Sequence, residues 1–81
     1  MKRKERMEQK RINQKIIGKN LSRVMKESGV NQIELASAVD ISPYVVKDYV
    51  NGHTLANVLL LHAMAKKLKC KTDDLLEGVI V

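Results

Sequence analysis

The side chains able to do chemistry gather around the middle of the chain: Ser42, Tyr44, Lys47, Asp48, His53 and Thr54 bring hydroxyls, an ammonium, a carboxylate and an imidazole into one short stretch. Such groups donate and accept hydrogen bonds or meet charge, which is the chemistry of recognition. The requirements for reaction are not met. There is no GxSxG turn, no Walker loop and no carboxylate pair placed for acid–base work. His53 and His62 stand nine residues apart without cysteines or carboxylates at zinc spacing, so each is assigned as a polar surface or loop residue. Cys70 is the single cysteine; it can form no disulfide within the chain and is assigned as a small hydrophobe between two helices. No catalytic residue, metal or cofactor is expected.

Two short helices would position these groups, within residues 31–52, NQIELASAVDISPYVVKDYVNG. Asn31 can accept from the free N–H groups of a first turn while Glu34, three residues on, answers back, as in a capping box. Ile33, Leu35, Ala36 and Val39 then supply an apolar stripe before Asp40 interrupts. Ser42 and Pro43 restart the helix, with a hydroxyl cap and a proline where its missing N–H costs nothing. The second helix runs to Asn51, and Gly52 ends it. Ala36 is small enough for two helices to cross closely over a tight turn.

The rest of the chain supports this pair. A first helix is expected from about Asn13 or Ile16 to Ser28, with Ile17, Leu21, Val24 and Met25 on one face and Gly29 at its end. A fourth, of about ten residues, starts at the Asn57 cap; its core stripe is Leu61, Met64, Ala65 and Leu68, which leaves Leu59 in surplus. A last short helix is expected from a Thr72 cap, with Asp73 and Asp74 in its first turn and Gly78 closing it. The expected fold class is all-α with five helices: a basic arm over residues 1–15, helical at most near its end, a domain over 16–78, and an apolar tail of Val79, Ile80 and Val81.

Eighty-one residues make one small domain, which buries only about 60% of its unfolded surface. The longest purely apolar run, Val58 to Leu61, falls far short of the roughly 20 residues that span a bilayer. No membrane partner is expected, and the bacterial cytoplasm or nucleoid is. The net charge of +6 suits a polyanion, and it is unevenly spread. Residues 1–29 hold ten Lys and Arg against three Glu, whereas residues 30–65 hold one Lys against Glu34, Asp40 and Asp48. The arm carries the excess, either as a solvated tail or as a contact to phosphate or the minor groove.

The pieces Asn31-Gln32, Leu35-Ala36, Val39, Ile41-Ser42, Val46, Asn51-Gly52, Ala65, Leu68 and the segment from Thr72 to Leu76 resemble the Cro and phage-repressor type helix-turn-helix regulators, also called the xenobiotic-response-element family. The resemblance covers roughly residues 16–77 and implies a lambda-repressor-like DNA-binding domain. It implies that the second helix of the pair enters the major groove, with Ser42, Pro43, Tyr44, Lys47 and Asp48 facing bases. Gln32, His53 and Thr54 would approach phosphates, joined by Arg3, Arg6, Lys10 and Arg11 of the arm. Lys47 can donate to guanine O6 or N7, and Pro43 or Val45 can lie against a thymine methyl.

Three departures from the family pattern stand out. No Arg, Gln or Asn occupies the first two turns of the recognition helix, so bidentate base reading is missing there. Where many members pair an arginine with a glutamate, this chain has Met25 and Val50, so neither charge is left buried alone. Asp40 stands where a turn glycine is common, and aspartate tolerates the left-handed conformation better than most residues.

The expected function is sequence-specific binding of double-stranded DNA by a transcriptional regulator, a repressor of phage, mobile-element or bacterial origin. It is expected to act as a homodimer through Leu59 and Val79, Ile80 and Val81. The alternatives are a protein-interaction module on the same fold, such as an antitoxin or accessory partner, and a nonspecific nucleic-acid binder.

Overall fold

The computed structural model describes residues 3–80, and side chains from residue 6 to residue 80. Five helices follow in order: α1 (Arg3–Ser28), α2 (Gln32–Ala38), α3 (Pro43–Val50), α4 (Val58–Lys67) and α5 (Thr72–Leu76), with no strand among the described residues. α1 crosses α3 and α5, while α2 packs on α3 and α4. The core between them is purely apolar, with no buried polar or charged residue among those described.

The buried face of α1 is Ile17, Leu21, Val24 and Met25, as the spacing predicts. α4 buries Leu61, Met64 and Ala65, and its C-cap Leu68 is buried with them. α2 differs from expectation: Leu35 and Ala36 are buried, but Ile33 is 68% exposed. At 100° per residue Ile33 lies about 60° beyond Ala36, the near edge of the arc of Leu35, Val39 and Ala36, and about 110° from the arc's centre, so the turn that seats those three puts it outside.

α1 is the larger correction. It starts at Arg3 rather than near Asn13 or Ile16, and runs 26 residues. Residues 3–12 are mostly Arg, Lys, Glu, Gln and Met, which favour helix, and extending a formed helix adds a hydrogen bond per residue without a new nucleus. At 1.5 Å per residue the helix is about 39 Å long, matching the 39 Å longest dimension of the molecule.

The first four helices stop by one device. An N–H two or three residues past the helix end donates back five positions: Val30 to the Met25 carbonyl at 3.0 Å, Ile41 to Ala36 at 3.0 Å, His53 to Asp48 at 2.9 Å and Cys70 to Ala65 at 3.0 Å. The residue before each donor is left-handed, and at two of the four it is not glycine: Asp40 and Lys69, both at φ 57°. The turn between α2 and α3 survives on aspartate, as expected.

α5 corrects another expectation. Its cap residue is Lys71, and Thr72 is the first helical residue. Asp74 Oδ2 accepts the Lys71 N–H at 2.9 Å, reaching back to the cap residue from the third helical position. The Thr72 hydroxyl instead meets His62 Nδ1 at 3.1 Å. Beyond α5, Val79 packs against the chain's own core.

α1 meets α3 at Gly18, where an added β-carbon would lie 2.6 Å from the carbonyl oxygens of both Tyr49 and Val50. Those atoms are backbone at the end of a capped helix and cannot turn aside. Gly18→Ala is therefore expected to lower stability by about 1–3 kcal/mol, as overpacking does. Urea unfolding checks it: a lower midpoint at unchanged slope is expected, and a midpoint equal to the unmodified chain's would contradict the crossing.

Candidate nucleic-acid interface

α2 begins at a complete capping box: Asn31 Oδ1 accepts the Glu34 N–H at 2.8 Å, and Glu34 Oε1 accepts the Asn31 N–H at 3.3 Å. α3 begins at Ser42, whose Oγ accepts the Tyr44 N–H at 3.2 Å, with Pro43 in the first turn. Eight residues are too few to hold a helix alone in water, so α3 depends on its caps and its buried face. That face centres on Val46, fully buried, with Tyr49 and Val50 packed at the core's edge.

The opposite arc is free. Pro43, Tyr44, Lys47 and Asp48 are all exposed, and Tyr44 is 79% so. At helical spacing they occupy one continuous arc facing away from Val46. Four of the five residues expected to face bases are thus brought onto one surface, with Ser42 exposed at its start. Ser42 is partly committed: its cap bond uses a lone pair and leaves the hydroxyl proton to donate. Asp48 is partly committed too, its Oδ1 lying 3.9 Å from His53 Nδ1, a pair that is ionic only when the imidazole is protonated.

The residues expected at phosphates divide into groups. Gln32 is half-buried in the first turn of α2, and His53 and Thr54 are exposed in the loop after α3. Arg6, Lys10 and Arg11 are exposed on α1, while the side chain of Arg3 lies outside the described residues. Arg6 and Lys10 line a notch with Gln9, Asn13, Leu55 and Ile80; Arg11 is not part of it. Sequence reasoning missed Ile33 as a surface residue and Asn13 as a tether, although the helical angle of Ile33 was a usable signal.

Among the described residues, no group of three or more His, Cys, Asp or Glu could hold a metal ion, and no helix is long and apolar enough to cross a membrane.

With this geometry in hand, residues 21–75 match the helix-turn-helix family model, HTH_3. The chain is also similar to a solved structure, that of the clp gene regulator ClgR from Corynebacterium glutamicum, at 25% identity and a TM-score of 0.75 over 78% of this chain and 67% of that one. No curated protein matches the chain.

Cys70 lies away from the α3 arc, half-buried between α4 and α5. Burial pushes its thiol pKa up, and the Asp74 carboxylate adds to the rise. A raised pKa leaves less thiolate at a given pH, and thiolate is the reactive form. Alkylation by iodoacetamide is expected to be slower than that of a free cysteine near pH 8 and to approach it only at higher pH. A rate equal to or above the free thiol's would contradict this environment.

Proposed function

The chain belongs to the helix-turn-helix family and is a DNA-binding regulator of transcription rather than an enzyme, and we propose that it recognises a specific site with α3 in the major groove and acts there as a repressor. The exposed arc of Pro43, Tyr44, Lys47 and Asp48, backed by the buried Val46, carries this reading. An α-helix fits the major groove of B-DNA, and those four side chains are the ones such a helix presents to base edges. Lys47 donates to guanine, Tyr44 meets sugar or phosphate, and Pro43 lies against a thymine methyl. Gln32, His53 and Thr54 fix the register on phosphates. Repression needs no further chemistry, because a bound protein excludes others from the same stretch of duplex.

One observation favours a second reading. The exposed large apolar side chains at the start of α2 and α3 are Ile33, at 68%, and Tyr44, at 79%, and no Arg, Gln or Asn stands beside Tyr44 to read bases in pairs. Such a surface also suits a protein partner.

We further propose a two-fold dimer. A single module covers only about 600 to 1,000 Å² on DNA, and pairing two is the usual remedy. Of the tail, Val79 lies on its own core, while Ile80, its backbone hydrogen-bonded to Asn13, keeps a side chain 49% exposed. Val81 lies outside the described residues. The outer face of α4 remains, where Leu59 is 79% exposed and Val58 and Leu55 are exposed beside it in sequence.

Lys47→Ala is expected to cost about 1–3 kcal/mol at the selected site and to relax preference at one base position, whereas Gln32→Ala should weaken all duplexes alike. Site selection followed by titration checks both. An unchanged profile for Lys47→Ala contradicts the placement of α3, and no binding to any duplex favours the protein partner. Analytical ultracentrifugation on a full-length site should give two chains per duplex, reduced to one by Leu59→Glu; one chain per duplex for the unmodified protein rules the dimer out.

A further inference from the structure

Asn13 and Ile80, 67 residues apart, form a reciprocal pair: Asn13 Nδ2 donates to the Ile80 carbonyl at 2.7 Å, and the Ile80 N–H donates to Asn13 Oδ1 at 2.8 Å. Two turns further along α1, Asn20 Nδ2 donates to the carbonyls of Leu75 at 3.0 Å and Glu77 at 2.8 Å. The chain beyond α5 is thus a strap that runs back along α1 toward its N-terminus, tied at two points. The outer tie takes up both backbone polar groups of Ile80 with one side-chain amide.

The outer tie sits where a stripe changes character. Arg6, Lys10, Asn13, Ile17, Leu21 and Val24 follow one another at intervals of three and four, which is one face of a helix. From Ile17 onward that face is core. Before Asn13 it is cationic. There it overhangs the loop that follows α3, because Arg6, Gln9, Lys10 and Asn13 share a notch with Leu55 and Ile80. Among the described residues that line the notch none carries a carboxylate. Packing fixes the direction of the same face further down the helix, so the two cations do not sample all directions as a loose tail would.

We propose that residues 6–13 form a helical phosphate clamp, that Arg6 and Lys10 grip the sugar–phosphate backbone flanking the groove that α3 enters, and that Asn13 is the positioning residue that holds the clamp through Ile80. The clamp rests on the DNA reading given above. Duplex DNA is the polyanion that fits, with one charge per about 1.7 Å of axis, against two cations that a helix holds about 6 Å apart along its length. Arg11, about 100° round the helix from Lys10, falls outside this contact.

The test measures binding to a mixed-sequence duplex between about 50 and 200 mM salt. It compares the full chain with Arg6→Gln/Lys10→Gln, Arg11→Gln, Asn13→Ala, a chain lacking residues 80 and 81, and that deletion combined with Asn13→Ala. Circular dichroism without DNA confirms that each is folded. The charge-removed double variant should lose about 1.8 from the log–log salt slope, at about 0.9 per phosphate, and Arg11→Gln should lose close to nothing. Asn13→Ala keeps every charge yet should lose a similar amount, as should the deletion. The combination should lose no more than either alone, which is the signature of one shared interaction. An unchanged slope in Arg6→Gln/Lys10→Gln overturns the clamp. A reduced slope there with a full slope in Asn13→Ala overturns the positioning role. Absence of binding by the unmodified chain overturns the DNA reading and the clamp with it.

Discussion

At Gly18 the backbone of α1 passes so close to the end of α3 that the last carbonyls of α3, those of Tyr49 and Val50, occupy the space a side chain would need. The recognition surface depends on this crossing. α3 is eight residues long and cannot persist alone, so its angle and depth are those of whatever it leans on. It leans on the longest helix of the molecule through a point with no side chain to deform. A second close approach lies about one turn earlier on α1, where Gly52 abuts the backbone of Lys15 at what would be 2.9 Å from a β-carbon. Together they fix both the end of α3 and the departure of the loop carrying His53 and Thr54.

The same economy governs the polar groups. No buried side-chain N or O atom among the described residues lacks a hydrogen-bond partner, and no charged residue is buried. Met25 is 6% exposed, and Val50 packs at the core's edge, in positions where the resembling family often pairs opposite charges. Burying apolar side chains there avoids a desolvation penalty that an ion pair recovers only with excellent geometry. The charges are thereby displaced to the surface, above all to α1, where they are free to meet a partner.

Much of this was legible in the sequence because it is local. Asn31 with Glu34, and Ser42 with Pro43, mark their helix starts from within a few residues, and both caps form as expected. The core faces of α1 and α4 follow from periodicity alone. What could not be read is what depends on distant chain. Gly18 is one glycine in a helical run until α3 is placed against it. Asn13 and Asn20 look like ordinary polar residues until the segment beyond α5 returns to them. The arm reads as a solvated extension because its cationic stripe has no apolar member before Ile17, yet the helix propagates through it to Arg3. Thr72 reads as a cap because a hydroxyl ahead of two aspartates fits that role, and only the fold reveals that His62 stands beside it.

The central claim is that α3 occupies the major groove, and dimethyl sulfate probes it directly, since guanine N7 lies in the major groove and adenine N3 in the minor. On the selected duplex the protein should protect guanine N7 atoms within the site while adenine N3 atoms opposite α3 remain reactive. Protection confined to adenine N3, or none at either atom under saturating protein, would contradict the account.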